Sequence, residues 1–512
     1  MVSQRLRQLR QVLRPMAGRH GPARALHLSW VAFFCTFLVW FDFAPFASTI
    51  GRQLHLSPAE LTAISLCNLG LTVPTRVLIG AVLDRFGPRR VFPCVLIGAA
   101  VPNTVFALST SFTSLVLSRL ALSMVGAGFV VGIRMVREWW PDARLGAAEG
   151  VYAGWGNFGA GVATVGLPVL AAALGGADGW RWSIGACSLV SVVWGVVYLL
   201  TARDTPDGTA WVRPRRQGAL EVTSRASVVG LVLLSTPVVG VLAIVAYRLF
   251  LVGVIGAPVL WGCVGVLVLL ALLQLAQILR VNRPALAGAY PERERYPFRS
   301  VVLCSLVYAV TFGGELAVLS TLPTFFGTTW HLGVATAGAA AGTFGLMNLV
   351  TRPAGGIISD LSGRRRATLL VMLGGTASCL CLMSALGGDW PVAGAVVLGI
   401  VAAAFLQGAN GAVFAIAPGI DHRVSGQIAG LVGAYGNLGG IVWLFLVVYV
   451  APQTMFLVIG LSAVAVGVLV SQLLPNPVPV ARGATEREGV GQLAQASEAQ
   501  QSREADLEAV LR

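Results

Sequence analysis

Apolar runs long enough to cross a membrane recur along the whole chain. Six lie in the first part, near residues 29–50, 59–83, 91–110, 113–138, 146–174 and 180–201. A polar stretch at 202–225 separates them from two more runs, at 226–247 and 251–279, and six further runs lie between 300 and 474. A bilayer core of about 30 Å needs about 20 apolar helical residues. The pattern therefore predicts an all-α polytopic membrane protein with about fourteen transmembrane helices.

The composition excludes a water-soluble fold. Hydrophobic residues make up 56% of the 512 positions and charged residues 11%, with a mean hydropathy of +0.78. The runs divide the chain into five parts, which are a basic N-terminal segment at 1–28, an N-terminal six-helix half at 29–201, a linker with two additional transmembrane helices at 202–299, a C-terminal six-helix half at 300–474 and a polar tail at 475–512. We expect the lipid bilayer to surround both halves.

The charge pattern indicates a membrane topology rather than a nucleic-acid partner. All 36 basic residues are arginine, and they lie mainly between the apolar runs. Residues 1–25 are basic and contain no acid, which favours a cytoplasmic N-terminus, and an even number of spans returns the C-terminus to the same side. In this topology the outer turns hold Arg52, Arg119, Arg181 and Arg248. The lysine-free composition is typical of GC-rich bacterial genomes, so we expect a bacterial cytoplasmic (inner) membrane.

The two halves are copies of one unit. An ungapped comparison of the halves pairs His55 with His331, Arg76 with Arg352, Gly80 with Gly356, Asp84 with Asp360 and Gly87 with Gly363. A second register, slightly offset from the first, pairs Gly156, Asn157 and Gly159 with Gly436, Asn437 and Gly439. Parallel repeats of this kind predict a central site between the halves.

A glycine- and arginine-rich motif follows the second span and returns in weaker form in the other half. Its residues are Gly80, Asp84, Arg85, Gly87, Arg89 and Arg90, with Gly356, Asp360 and Gly363 as the second copy. The motif resembles the signature of the major facilitator superfamily. Its glycines suit a tight turn, and its charged residues can latch neighbouring helices, so we interpret it as a gating and topology device rather than a substrate site.

Two paired arginines are the strongest candidates for substrate binding. Arg76 and Arg352 each lie eight residues before the aspartate of their motif, about 12 Å inside the membrane boundary at about 1.5 Å per residue. Charge at that depth is costly and usually serves function. Because guanidinium stays protonated and offers forked donors, two such groups predict a small planar anion. The alternative is that each arginine pairs with a buried acid, such as Asp42 or Glu315.

Two glycine-rich helical segments each contain an asparagine at the same place. The glycines predicted to serve helix packing and conformational change are Gly156, Gly159, Gly161, Gly436, Gly439 and Gly440. Small residues let membrane helices approach closely or slide. Asn157 lies at about the depth of Arg76, so we expect Asn157 and Asn437 to turn their amides towards the central site.

These segments resemble the signatures of the nitrate/nitrite porter family. Further similar stretches begin at Trp40, Gly132, Glu315, Leu322 and Asn348, and the resemblance covers most of residues 30–470. It implies a secondary active transporter of nitrate or nitrite that works by alternating access. It also implies that Arg76 and Arg352 clasp the anion, that Asn157 and Asn437 assist, and that Phe129, Tyr308 and Phe312 form aromatic walls.

Other functions stay open at this point. A major facilitator carrier of another small anion, such as a carboxylate, is one alternative, and a non-transporting membrane anion sensor is another. No nucleophile–base pair, metal cluster or phosphate-binding loop emerges from the sequence, so we predict no enzyme activity, no metal and no cofactor.

Energy coupling depends on two acids inside the predicted spans, Asp42 and Glu315. Each is either a fixed counter-charge to a nearby arginine or a group that titrates with anion binding. Titration would couple protons to anion import, whereas nitrate/nitrite exchange needs no proton. Glu315 lies between the midplane and the outer face, and we expect Glu315 rather than Asp42 to carry the proton.

Overall fold

The computed structural model describes residues 21–140, 142–206, 219–290, 292, 295–421 and 424–475, and this part of the chain contains helices and no strand. The helices of the first half are α1 (Pro22–Phe41), α2 (Ala47–Gln53), α3 (Pro58–Gly70), α4 (Thr72–Phe86), α5 (Pro88–Leu108), α6 (Phe112–Leu122), α7 (Gly128–Trp139), α8 (Asp142–Leu174) and α9 (Gly179–Thr201). The inserted helices are α10 (Arg225–Leu251) and α11 (Ala257–Val281), followed by the short α12 (Arg283–Leu286). The second half contains α13 (Phe298–Thr329), α14 (Val334–Leu346), α15 (Asn348–Ser362), α16 (Arg365–Met383), α17 (Val392–Ile416), α18 (Ser425–Leu446) and α19 (Pro452–Leu473).

The all-α fold with about fourteen spans is confirmed. Thirteen helical stretches in the described residues are long and apolar enough to cross a membrane. The remaining predicted span, at 59–83, forms the consecutive helices α3 and α4.

Local hydrogen bonds explain why this span is divided. At the junction, the backbone N–H of Leu71 donates to Ser123 Oγ at 2.8 Å, and Thr72 Oγ1 donates to the Ser123 carbonyl at 2.7 Å. The second half repeats the division between α14 and α15, at Met347. His55 and His331, which the repeat pairs, both adopt a φ of 56°, a left-handed conformation that is uncommon outside glycine. The duplication is therefore visible in backbone conformation.

Two helix starts differ from the predicted boundaries. The first helix begins at Pro22, inside the segment predicted to precede the membrane at 1–28, because Ala25, Leu26 and Leu28 are already buried. The helix expected from residue 300 begins at Phe298. The basic residues 1–20 and most of the tail expected at 475–512 lie outside the described residues.

The inserted helices lie on one side of the central bundle. In the described structure α11 packs mainly against α10, and its apolar side chains face outwards. In contrast, α10 contacts both halves: Arg248 Nη2 donates to the Ala59 carbonyl of α3 at 3.0 Å, and Tyr435 of α18 donates to the Leu234 carbonyl of α10 at 2.5 Å. Arg248 was expected in an outer turn and is instead buried in the last turn of α10.

Candidate anion-binding site

The end of the bundle that carries the glycine- and arginine-rich motif is called the motif end below, and the other is the opposite end. Gly87 and Gly363 form the turns of the motif with φ values of 78° and 66°, which favour glycine. Arg89 Nε donates to the Leu199 carbonyl at 3.2 Å, and its backbone N–H donates to Asp204 at 2.7 Å. The motif thus holds the start of α5 to the end of α9.

Other motif residues are less constrained. Arg85 lies 5.2 Å from the ring of Phe86, and Arg90 is exposed. Gly356 approaches the Gly411 carbonyl of α17. The side chains of Asp84 and Asp360, and the surroundings of Gly80, lie outside the described structure, so the gating role stays a prediction.

Arg76 reaches from the first half to the second. Its Nε donates to the Gly126 carbonyl at 3.1 Å, and its Nη1 donates to the Gly433 carbonyl of α18 at 2.8 Å. The guanidinium carbon lies 5.3 Å from the ring centre of Phe129. The side chain is buried, and no carboxylate pairs with it among the described residues.

Arg352 occupies the equivalent place in the second half. Its Nη2 donates to the hydroxyl of Tyr308 at 2.5 Å, and its guanidinium carbon lies 5.2 Å from the ring centre of Phe312. The residue is 1% exposed, yet Nη1 has no hydrogen-bond partner in the described part of the chain. One donor of a buried cation is therefore left for a ligand.

A chain of aromatic rings joins the two arginines. Phe129 lies 5.9 Å from Phe414, which lies 5.0 Å from Tyr308, and Tyr308 stacks on Phe312 at 4.9 Å. The predicted aromatic residues thus meet in one place. Sequence reasoning missed Phe414, because it lines up with Phe129 in neither register of the repeat and an ungapped comparison could not align the two.

The two predicted asparagines are buried and keep unpaired side-chain atoms, and Asn437 lies next to Arg76. Asn437 donates to the Gly433 carbonyl at 3.3 Å, the same carbonyl that Arg76 contacts. Asn157 lies between Gly154 and Gly161 on the face of α8 that meets α14 and α15. Asn157 is 1% exposed, and neither of its side-chain polar atoms, nor Asn437 Oδ1, has a hydrogen-bond partner among the described residues. Buried polar groups normally find partners, so these atoms are candidates for ligand contact.

Asp42 forms a closed ion pair with Arg119, and not with Arg76 or Arg352 as the alternative open from the sequence would have it. Arg119 Nη2 donates to Asp42 Oδ1, and Asn103 donates to Oδ2 at 2.9 Å. Arg119 was expected in an outer turn, whereas it lies within α6 and is fully buried over the ring of Phe106 at 4.0 Å. A buried arginine needs a carboxylate partner, and Asp42 supplies it. Asp42 is therefore not the partner of Arg76.

Glu315 is held by two amides in the second half. Asn348 donates to Oε1 at 2.5 Å and Asn410 donates to Oε2 at 2.7 Å. The carboxyl is 1% exposed and interacts electrostatically with Arg352. Both oxygens accept from a donor, as an ionised carboxylate does. This arrangement favours a fixed counter-charge, one of the two alternatives open from the sequence, over a titrating group.

The glycines predicted to serve conformational change fall into two groups. A Cβ at Gly156 would lie 1.9 Å from Phe33, and one at Gly159 would lie 2.4 Å from the Phe34 carbonyl, both on α1 of the same half. Gly436 and Gly439 meet α13 in the same way, at 2.6 Å from Phe312 and 2.0 Å from the Ala309 carbonyl. These four glycines pack helices within a half, so their close contacts are not the ones where the two halves meet.

Gly161 and Gly440 do lie between the halves. A Cβ at Gly161 would meet the Leu346 nitrogen of α14 at 2.4 Å, and one at Gly440 would meet Leu69 of α3 at 3.0 Å. Gly338 and Gly342 of α14 continue the close contact along α8 towards the opposite end. That end is closed along this contact, whereas a cavity lined by Arg352, Phe129, Phe414, Glu149 and Asn410 lies between the halves on the motif-end side.

We expect Gly161→Ala to open the closed contact. The added methyl group collides with the backbone of α14 only while the opposite end is closed, and overpacking costs about 1–3 kcal/mol, so the equilibrium should shift roughly 5-fold or more towards the form open at that end. Distances between spin labels at residues 174 and 334 measure the shift. Gly166→Ala on the same helix is the control, because its Cβ would meet only Val162 at 3.9 Å. Equal distances in both variants would contradict the assignment.

Comparison with known proteins identifies the class. The family profile described as Major Facilitator Superfamily matches residues 29–291 and 304–509. A crystal structure of the human organic anion transporter MFSD10 (TETRAN) has a similar fold, with a TM-score of 0.57 at 14% identity, covering 89% of this chain and all of that one. The chain belongs to the Major Facilitator Superfamily, and it is a multi-pass membrane transporter rather than an enzyme.

Within that superfamily the chain is a member of the nitrate/nitrite porter family. It is 40% identical over 462 residues to "Nitrate/nitrite transporter NrtP" of Nostoc punctiforme, covering 89% of this chain and 92% of the relative. NrtP of Picosynechococcus sp. is 40% identical over 451 residues, with 83% and 84% covered. "High affinity nitrate transporter 2.7" of Arabidopsis thaliana is 26% identical over 444 residues, with 85% and 79% covered.

Proposed function

We propose that the protein carries nitrate, nitrite or both across a bacterial inner membrane by alternating access. The main observation in support is the central cluster of two buried arginines, which make no direct ion pair with a carboxylate among the described residues and share one aromatic enclosure. The names of the NrtP relatives support nitrate and nitrite as the substrates.

The site suits a small planar oxyanion. Arg352 Nη1 and the amide of Asn157 provide donors without partners among the described residues, and Phe129 and Phe312 provide flat apolar walls. Guanidinium groups bind planar oxygens through forked hydrogen bonds, and the aromatic walls leave little room for a bulky substituent. Because Arg76 also bonds Gly433 of the other half, the anion would bind where the halves meet.

The two halves would expose this site to one side of the membrane at a time. The structure has the opposite end closed by the α8–α14 contact and a cavity next to Arg352 on the motif-end side. The arginines of the motif favour a cytoplasmic motif end, with both chain termini on that side. The described conformation would then be the one that exchanges anion with the cytoplasm.

Two coupling modes fit such a site. Proton-coupled import would let the cell accumulate a monovalent anion against a negative interior, whereas nitrate/nitrite exchange would balance one anion against another. In the exchange mode the arginine charges keep the empty carrier from returning. In the proton-coupled mode a carboxyl group must neutralise them on the return step.

Flux into proteoliposomes tests the proposal. The purified full chain should take up nitrate or nitrite into vesicles preloaded with nitrite or nitrate, and excess formate or acetate outside should compete weakly. Carboxylate uptake without nitrate or nitrite uptake would instead support the carrier of another small anion. Anion binding to the purified protein without flux in any gradient would support the sensor.

A further inference from the structure

A carboxyl group outside the predicted site residues lies in the same cavity as Arg352. Glu149 of α8 lines that cavity with Arg352, Phe129 and Phe414, and the residue is 8% exposed. The described residues provide no hydrogen bond or ion pair for this carboxyl. Its neighbour Gly150 contacts Pro353, the residue after Arg352. Glu149 thus lies between the halves, on the part of α8 that packs against α15 beside Arg352.

Glu149 differs from Asp42 and Glu315 in its position along the cavity. The cavity lining extends from Arg352 to Gly356 of the motif and to Glu149 in the first part of α8, so an anion that moves between Arg352 and the motif end passes Glu149. Asp42 is enclosed within the first half by Arg119, and Glu315 is held by two amides. In the register that pairs the two asparagines of the repeat, Glu149 corresponds to Ala429, so this acid breaks the symmetry of the halves.

The helices that surround Glu149 carry several charged and titratable groups, most of which are arginines. These groups are Arg134, Arg137 and Glu138 of α7, Arg24 and His27 of α1, Tyr198 of α9 and Arg352 of α15. Asp360 of α15 has a side chain outside the described structure, and α14 and α17 contain no titratable side chain. Glu138 pairs with Arg134 at 2.9 Å, and His27 accepts from Trp30. Arg137 attracts the carboxylate electrostatically.

We propose that Glu149 is the proton site that couples anion transport to the pH gradient. This inference rests on the proposed function. An anion at Arg352 repels a carboxylate in the same cavity, so Glu149 binds a proton when the anion is present. When the anion leaves, Glu149 releases that proton to water, and the carboxylate offsets the charge of Arg352. One proton and one monovalent anion then move together, and the empty carrier returns with its central charge balanced.

Transport by Glu149→Gln in proteoliposomes tests this site. The variant should lose acid-driven net nitrate accumulation by about 10-fold or more, because the amide cannot exchange the proton, while nitrate/nitrite exchange stays within about 3-fold of wild type. Glu149→Asp should restore part of the acid-driven accumulation. An entrapped pH dye should report proton entry with nitrate in the wild type and none in Glu149→Gln. Glu292→Gln is the surface control, since its side chain is 91% exposed.

Each failure has a distinct meaning. Proton entry per nitrate equal to wild type in Glu149→Gln would overturn the inference, as would a wild-type protein that exchanges anions without any pH-driven accumulation. Loss of accumulation in Glu315→Gln but not in Glu149→Gln would move the proton site to Glu315. If the wild type neither accumulates nor exchanges nitrate or nitrite, the proposed function itself fails.

Discussion

Replacing Arg352 by lysine should reduce nitrate transport at limiting substrate by about 10- to 150-fold, the effect of losing one hydrogen bond to a charged group worth about 1.5–3 kcal/mol. Lysine keeps the charge but cannot donate to Tyr308 and to an anion in the fixed fork that guanidinium provides. Arg76→Lys should have a similar effect, since its Nε and Nη1 contact two different carbonyls.

Initial uptake rates in proteoliposomes, normalised to the amount of protein inserted, measure this effect. Arg299→Lys is the matched control, because Arg299 is exposed at the start of α13. Abundance and thermal stability should remain near those of the wild type in all three variants. If the Arg76 and Arg352 variants both transport like the control, bidentate recognition does not explain the site.

Asp42→Asn should destabilise the protein by about 3–5 kcal/mol, the usual cost of leaving one partner of a buried ion pair uncompensated. Arg119 would keep its charge in a fully buried position, with no carboxylate to offset it and only the ring contacts to Phe43 and Phe106 and a long bond from Nη1 to the Val39 carbonyl, at 3.4 Å, left among the described residues. The expected result is low abundance in the membrane and a lower melting temperature in detergent.

A compensated double variant separates this structural role from proton coupling. Asp42→Leu combined with Arg119→Met removes both charges and fills the space with apolar atoms, which is often close to neutral for buried pairs. It should recover most of the stability and the pH-driven uptake. A stable Asp42→Asn protein that has lost only its pH dependence would assign the proton to Asp42 instead.

The sequence was sufficient for the fold and for the identity of the central arginines. Apolar run lengths respond to bilayer thickness, and the repeat pairs Arg76 with Arg352 regardless of how the helices pack. The sequence could not predict features that depend on which helices pack against each other. Periodicity alone cannot tell which neighbour a glycine meets, so Gly156 and Gly161 looked alike although one contacts α1 and the other α14.

The sequence also could not predict which charged residues pair with each other. Arg119 has no repeat partner and lies near a predicted span end, so nothing along the chain connected it with Asp42, 77 positions away. Glu149 was missed for a related reason. It lies near the start of a helix, where an acid usually faces water, and the packing of helices from both halves around the cavity buries it beside Arg352.

The contacts of α10 bear on how the two halves can move. Helices α8, α14 and α15 form one seam between the halves, and α3 and α18 contribute to the other. Along the second seam α10 bonds to both sides, through Arg248 to Ala59 and through Leu234 to Tyr435. A helix that bonds to both halves resists separation of the second seam, whereas the first seam is crossed by the hydrogen bond from Trp155 Nε1 to the Leu349 carbonyl at 3.2 Å and by close backbone contacts such as that of Gly161. The halves should therefore separate more along the seam that contains Gly161 than along the seam that α10 bridges.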